Sequence, residues 1–556
     1  MLSSRIEYNE AMDAVTVFVL LDEGPQTQIR ALEFEGNRFF SSFELAQVTG
    51  LETNSPLNLD SFESSLDRLR LFYRNQGFLE MKLLNEKDDL ISYNDKGTQA
   101  RILFRIYEGP RIRVNSVAVE GNTFTKSRVI LKEADFKITE VLTPEKIENA
   151  IARLNKLGLF SRVDIRTLEE GTNVAERTLV ISVNERDPGV FRLGGGVTNE
   201  RNFTARGFTG ISYNNLWGTG RGVSTRVELK QNVGQINYPE HEVMAGYLEP
   251  FLFNTRTRGR VNLTRSDRVF QYNSDNDETQ ITTTNRLDLL AERDITMHTR
   301  LTWKLWSLES NTDRERQGRC INDETKKVDL NRGKCPPDTQ QIATIGPTLD
   351  IDYRDNPFLP TTGSFTRLVV DYSRPDIGSS ADVEFVRTEG NYTYYKRIAG
   401  SPKYVWANSL RGGYVANLSD KKGSGVPTNY SFLLGGIYTI RGFDIASENE
   451  RLPKDNDDGF VVKRGNQALI PTDSHYYLFK SEFRFPIYEE HGGVLFYDGG
   501  AVLVSGYDFK RPYRDAVGLG YRYNTPVGPL ALDFAFKINP MADEQRFRFH
   551  LSIGTF

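Results

Sequence analysis

The 556 residues include few of the groups on which metal, redox or thiol chemistry depends: 2 cysteines, 5 histidines, 6 methionines and 4 tryptophans. No charge of one sign dominates. Lys+Arg total 70 against 74 for Asp+Glu, a formal net charge of −4, so there is no polyelectrolyte reason to expect nucleic acid. Long apolar runs are also missing. The longest, Val15 to Leu21, has seven residues with Thr16 among them, whereas a spanning helix needs about 20. This excludes a transmembrane helix but not a membrane barrel, whose strands hide their apolar residues by alternation. The opening MLSSRIEYNEAMDAVTVFVLLDEGP lacks the basic start, apolar core and small-residue cleavage site of a signal peptide. Met1 is therefore expected to begin a fragment, with any targeting sequence upstream.

Enzymatic signatures are absent as well. His241-Glu242 lacks a second histidine at the metalloprotease spacing, and neither a Gly-x-Ser-x-Gly elbow nor a phosphate loop occurs. No metal set, cofactor or enzyme activity is expected. The chain does hold 34 Phe, 25 Tyr and 46 Gly, and these crowd the region after about residue 190, which suits strands and tight turns.

A repeat organises the first third. EGPQTQIRALEFEGNRFF from Glu23 matches EGPRIRVNSVAVEGNTFT from Glu108, an offset of 85 that also relates Gly36 to Gly121. Each unit opens with a strand (29–35; 114–120) and a Gly-Asn turn, followed by two helical segments. The second helix of the first unit carries Phe62, Leu66, Leu69 and Tyr73 at helical spacing and stops at Gly77. Its counterpart begins at Thr143-Pro144-Glu145 and stops at Gly158. A closing strand occurs three times, as VTVFVLLDEGP, ARILFRIYEGP and RTLVISVNERDPG. The chain is thus expected to hold the tail of one module (1–24) and two whole β-α-α-β-β modules (25–109 and 110–187). Such modules read as spacers or as sheets that offer an edge to an added strand.

From Asp187 onward a period of two replaces the helical period. Leu530, Leu532, Phe534, Phe536 and Ile538 alternate with Ala531, Asp533, Ala535 and Lys537; Phe547, Phe549, Leu551 and Ile553 alternate with Arg546, Arg548, His550 and Ser552. A soluble sandwich would turn the charged face to water, whereas a membrane barrel would turn it to the lumen. Residues 188–556 number 369, too many for one usual sandwich. At about 23 residues per strand and connection they make roughly 16 strands. Short turns such as Pro526-Val527-Gly528-Pro529 alternate with long polar connections such as Asn311 to Gln341.

Several motifs together resemble the BamA/TamA superfamily of outer-membrane assembly factors, in which periplasmic POTRA modules precede a C-terminal barrel. The repeat resembles POTRA. Phe432-Leu433-Leu434-Gly435-Gly436, followed by Ile440-Arg441-Gly442-Phe443, is similar to the family's inward-folded loop. Phe496-Tyr497-Asp498-Gly499-Gly500 is similar to its Phe-x-Asp-x-Gly strand, and Asp352-Tyr353-Arg354-Asp355 with Pro360 and Gly363 to a further barrel signature. Pro526 to Leu530 and the terminal Phe556 fit the closing hairpin. The resemblance implies α+β POTRA modules followed by an antiparallel transmembrane β-barrel in the outer membrane of a Gram-negative bacterium, with the modules in the periplasm. It also implies unfolded outer-membrane protein clients, periplasmic or lipoprotein accessory subunits, contact with outer-membrane lipid and no covalent chemistry. A two-partner-type secretion pore shares these parts, and a passive channel is the alternative from another class.

Two sites follow from this reading. Alternation puts Phe496, Asp498 and Gly500 on one face, so that Asp498 can meet Arg441, carried in by a loop that Gly435, Gly436, Gly442 and Phe443 shape. A lateral seam is expected between the first strand, around 190–197 with Gly194, Gly195 and Gly196, and the last, around 546–553 with Phe547, Phe549, Leu551 and Ile553, near the terminal Phe556. The glycines are expected to weaken that junction. Outside the cytoplasm, Cys320 and Cys335, which enclose 14 residues, read as a disulfide contributing about 3 kcal/mol.

Overall fold

The computed structural model describes residues 3–8, 14–20, 26–86, 90–199, 203–232, 239–273, 278–315, 320–321, 328–329, 338–398, 400–421, 424–432, 434–443, 462–464, 467–469, 473–505, 512–525, 528–540 and 545–554. They form two compact units, Met1–Arg186 and Asp187–Phe556.

In the first unit, Ser3–Tyr8 and Val15–Leu20 make an antiparallel pair. The first whole module opens with strand Gln28–Glu35, continues through helices Ser42–Thr49 and Leu59–Asn75, and closes on strand Gln99–Tyr107. Ser41 caps the first helix in a reciprocal box with Glu44, and Asn58 caps the second, so that the N–H of Glu44 and that of Ser61, each otherwise without a partner inside its helix, are satisfied. The opening and closing strands pair in parallel, with Lys82–Leu83 and Ile91–Tyr93 added antiparallel to the closing strand. The second module repeats this with strand Arg113–Glu120, helices Ser127–Ala134 and Pro144–Lys156, and strands Phe160–Thr167 and Glu176–Glu185. Proline at the first position of helix Pro144–Lys156 and Thr143 as its cap agree with the boundary chemistry of the sequence. Each module has its own core, one around Leu45, Leu69, Tyr73 and Phe104, the other around Ile112, Val114, Leu142 and Leu179.

The repeat is physical down to single atoms. A break in strand register falls between Ile29 and Ala31 and again between Val114 and Ser116, 85 residues on. Gly36 and Gly121 both have positive φ, and a Cβ on either would lie 2.1 Å from a carbonyl oxygen of the closing strand, that of Ile106 or Val183. The Gly-Asn pair therefore lets the chain leave the strand in direct contact with its parallel neighbour, a role that only glycine fills. Two residues beyond those carbonyls stand Glu108 and Glu185. Glu108 accepts from the Phe39 N–H at 3.1 Å and the Tyr73 hydroxyl at 3.0 Å; Glu185 accepts from the N–H groups of Thr123, Phe124 and Thr125 at 3.1, 2.9 and 2.6 Å.

The second unit is a closed barrel of sixteen antiparallel strands, running from Gly189–Thr198 to Phe547–Gly554 with neighbours in chain order. Its burial is inverted. Glu228, Asp267, Glu309, Asp371, Asp533 and Arg514 are buried, while Leu193, Leu229, Leu263, Leu410, Leu519 and Phe536 are exposed. Charged side chains line the lumen in ion pairs such as Arg206–Glu228 at 2.8 Å and Lys304–Asp371 at 2.5 Å. This pattern decides the question that alternation left open, in favour of a barrel whose outer face meets hydrocarbon. Residues 311–341, expected as a loop, are strand at both ends: Asn311, Thr312 and Asp313 pair with Gln340, Thr339 and Asp338. Cross-strand pairing there needs no apolar side chain, so polarity alone misplaced the boundary. Cys335 and the side chain of Cys320 lie outside the described residues, as does Phe556.

Glu185 sets a pH dependence for the second module. Burial alone would raise its pKa, but hydrogen bonds from Thr125, Thr123 and Phe124 outweigh that and bring it to about 2. A depressed carboxylate pKa stabilises the fold fully above the unfolded value near 4.5, and that stabilisation is lost as pH falls through 2. In a fragment of residues 26–186, which contains both cores, Glu185→Ala is expected to cost about 1–2 kcal/mol in urea unfolding at pH 7. The difference from the parent should shrink between pH 4.5 and 2. A pH-independent difference would show that the carboxylate charge is not what holds this turn.

Candidate functional site: a loop locked to the closing strands

Between the eleventh barrel strand, Ser401–Asn417, and the twelfth, Ser474–Tyr488, residues 424–432 and 434–443 fold into the lumen. Apolar burial drives this. Phe432, Leu434, Ile440 and Phe443 share a buried cluster with Phe385, Val415, Tyr476 and Leu478 of the barrel wall. Gly435 and Gly436 start the tip with φ of 119° and 84°, and the Gly436 N–H donates to the Phe443 carbonyl at 2.8 Å, closing the tip on itself. Wall cations hold its outward carbonyls: Lys480 Nζ donates to the Ile437 carbonyl and Arg411 Nη1 to that of Tyr438, both at 3.2 Å.

At the tip, Arg441 is 2 % exposed and Asp498 0 %. The guanidinium donates from Nε and Nη2 to the two carboxylate oxygens at 2.6 and 2.7 Å, and the Arg441 N–H adds a third bond at 3.1 Å. A bidentate pair with a backbone donor satisfies both partners of a fully desolvated contact. Arg441 Nη1 also lies 2.9 Å from Glu482 and 3.6 Å from Asp533, and its guanidinium carbon stands 3.5 Å from the Phe496 ring centroid. One side chain thereby ties together three strands, Ser474–Tyr488, His491–Val504 and Gly528–Lys537. Arg522 steadies Asp533 from the other side at 2.7 and 3.0 Å.

Gly442 extends the lock to the last strand. Its N–H donates to His550 Nε2 at 2.9 Å. With φ at +92°, a Cβ there would meet the Cβ atoms of Ala516 and Ala535 at 3.3 Å each, so conformation and space both call for glycine. Phe443 is bracketed by cations, with the Arg514 guanidinium 5.0 Å and Lys537 Nζ 4.7 Å from its ring centre. Glu482, Asp533 and His550 were not singled out from sequence as partners of this loop. Strand parity placed Asp533 and His550 on the charged face, but only the register of the last five strands brings them to Arg441 and Gly442.

The seam differs from its sequence expectation. The first and last strands do pair, but among the described residues their ladder covers three pairs: Gly196 with Gly554, Val197 with Ile553 and Thr198 with Ser552. Its neighbours on either side have ten pairs, from Gly189–Tyr213 to Thr198–Thr204, and seven, from Leu530–Ile553 to Phe536–Phe547. Gly194 and Gly195, and Phe547, Phe549 and Leu551, lie outside that described ladder. The cause is an offset register, which sets the end of the first strand against the end of the last. Gly194 has another use: the ring of Phe208 lies where its Cβ would be, at 2.5 Å, with the Arg226 guanidinium 4.2 Å from the ring centre. The signature at Asp352 to Gly363 is a turn lock. Asp355 accepts from the N–H groups of Asn356, Thr361 and Thr362, and Gly363 admits the Tyr353 carbonyl where a Cβ would stand at 2.0 Å.

Arg441→Ala and Asp498→Ala are each expected to destabilise loop and barrel by about 3–5 kcal/mol, because each leaves a desolvated charge unpaired. The double mutant should cost much less than the sum. The temperature at which the folded barrel loses its heat-modifiable migration in detergent measures all three, and strictly additive shifts would refute the coupling.

Family profiles and known proteins agree with this architecture. The Omp85 superfamily domain matches residues 215–556, and the POTRA profile, described as a surface antigen variable number repeat, matches residues 27–109 and 112–186. The outer membrane protein assembly factor BamA of Nitratidesulfovibrio vulgaris is 23% identical over 565 residues, covering 99% of this chain and 64% of that protein. BamA of Neorickettsia risticii is 22% identical, covering 83% and 58%. The chain thus spans about three fifths of these relatives. Among solved structures, BamA from Haemophilus ducreyi lacking POTRA domains 1–3 has a TM-score of 0.67 at 15% identity, covering 95% of this chain and 99% of that one. CdiB from Acinetobacter baumannii follows at 0.53 and 14%, covering 96% and 91%. The chain belongs to the Omp85 superfamily, as an outer-membrane β-barrel carrying POTRA modules in the periplasm.

Proposed function

We propose that the protein assembles other outer-membrane β-barrels, receiving unfolded clients along the POTRA sheets and inserting them by strand pairing at its own seam. The observation that carries this reading is the short described ladder between the first and last strands. In hydrocarbon every backbone donor and acceptor must be satisfied within protein, so a first strand of which Gly189–Gly195 face no described residue of the last strand is a site at which another strand gains by pairing. The POTRA sheets also have edges, at Phe160–Thr167 and along the opening strands Gln28–Glu35 and Arg113–Glu120 beyond their first residues, which are bridged to Pro56 and Val141. The loop lock gives the seam its control. Arg441 and Gly442 hold the last strands from inside, so a change in the loop reaches the strand that must part from its neighbour. Unfolded barrel clients and periplasmic or lipoprotein accessory subunits are the partners this work needs. The assembly-factor names of the relatives agree with it.

Locking the seam tests the proposal. Val197 and Ile553 stand opposite each other across it. Val197→Cys with Ile553→Cys, oxidised in proteoliposomes, is expected to stop insertion of an unfolded barrel client, and reduction should restore it. Insertion at the full rate through the locked seam would overturn strand exchange there, and steady ion conductance unaffected by clients would favour a passive channel.

A further inference from the structure

The seam ladder does not simply fray beyond Thr198. Its register, carried one residue further, would set Asn199 opposite Leu551 and residue 201 opposite Phe549. The Asn199 N–H keeps that register, donating to the Leu551 carbonyl at 3.2 Å. The side chain then takes over. Asn199 Oδ1 accepts from the Leu551 N–H at 2.7 Å, where a regular ladder would use the Asn199 backbone carbonyl. Asn199 Nδ2 donates to the Phe549 carbonyl at 2.9 Å, where a ladder would use the N–H of residue 201. A carboxamide has the same donor and acceptor chemistry as a peptide group, and here it spans two successive ladder positions of the last strand. From the lumen side, His550, between these two positions, holds the Gly442 N–H.

We propose that Asn199 is a removable clasp: its carboxamide stands in for a strand at the Phe549–Leu551 edge and is displaced when the backbone of an added β-strand takes the same two positions. The inference deepens the strand-exchange reading and rests on it for the identity of the occupant, an extended segment of a client. Its physical basis is independent of that reading. A strand leaves an edge only when several residues move together, whereas a side-chain amide leaves by rotation about its own bonds. While seated it keeps a donor and an acceptor of the edge satisfied in hydrocarbon, which limits the cost of a short ladder. Asn199 acts as a positioning residue, through the edge it covers.

The test uses the full chain in lipid nanodiscs and two readouts that need no client. The first is hydrogen exchange at Leu551, with the His550 amide, which belongs to the ladder with strand Gly528–Lys537, as the internal control. The second is capture of a photoreactive peptide of residues 189–198, the natural neighbour of this edge. Asn199→Ala is expected to speed exchange at Leu551 about tenfold, leave His550 unchanged, and lower the half-saturating peptide concentration by a similar factor, as the loss of two modest hydrogen bonds predicts. Asn199→Gln, which carries the same amide one methylene further out, should restore part of both effects, and the apolar Asn199→Leu should restore neither. Unchanged exchange at Leu551, or a parallel rise at His550, would overturn the clasp. Faster exchange with unchanged peptide capture would overturn displacement by a strand. Client insertion through the locked seam bears only on the assembly reading, so the two ideas fail separately.

Discussion

A backbone in hydrocarbon has no water to fall back on, and this constraint organises the barrel. Fifteen of its junctions meet it with ladders between consecutive strands. The sixteenth joins the two ends of the unit and meets it differently, with three ladder pairs among the described residues and a side-chain amide beyond them. Because the last strand, Phe547–Gly554, is short and offset against the first, its satisfaction depends on residues outside the regular ladder. Asn199 provides it along the edge, and the loop supports the same strand from the lumen through Gly442 and His550.

That loop depends on a second constraint, the cost of a desolvated charge. Arg441 and Asp498 are tolerable inside the barrel only together, and Glu482 and Asp533 share the remaining guanidinium face. The wall is built to receive the pair: Ala516 and Ala535 leave the space that Gly442 fills, and Gly518 leaves the space taken by the Phe496 ring beneath the guanidinium. Packing and electrostatics thus specify one docked position. Moving the loop would disturb three strands through Arg441 and the last strand through Gly442, which links the lock to the seam within a single structure.

The POTRA modules show how much local sequence carries. The repeat offset of 85 reappears as a repeated break in register and as two glycines under two carbonyls. The repeated closing strands, ARILFRIYEGP and RTLVISVNERDPG, already set Glu108 against Glu185, but not what the two carboxylates hold. Their separation is 77 rather than 85 because helix Leu59–Asn75 is four residues longer than Pro144–Lys156, and because four more residues interrupt the strand beside the closing strand, split into Lys82–Leu83 and Ile91–Tyr93 where Phe160–Thr167 is continuous; the hydrogen bonds to the turns after Gly36 and Gly121 came only with the structure.

Period and parity by themselves determined the class of each segment, the two whole modules, the sixteen-strand scale of the barrel and the common face of Phe496, Asp498 and Gly500, because these are local properties of a chain with a fixed repeat. Family motifs pointed to Arg441 and Asp498 as a pair. Which charged residues surround that pair, which face meets lipid, and where the seam pairs were decided only by tertiary structure. Each depends on register, and register is set by the sum of all strand pairings around a closed sheet. A shift of two residues preserves every alternation in the sequence while it moves His550 away from Gly442 and Asn199 away from Leu551.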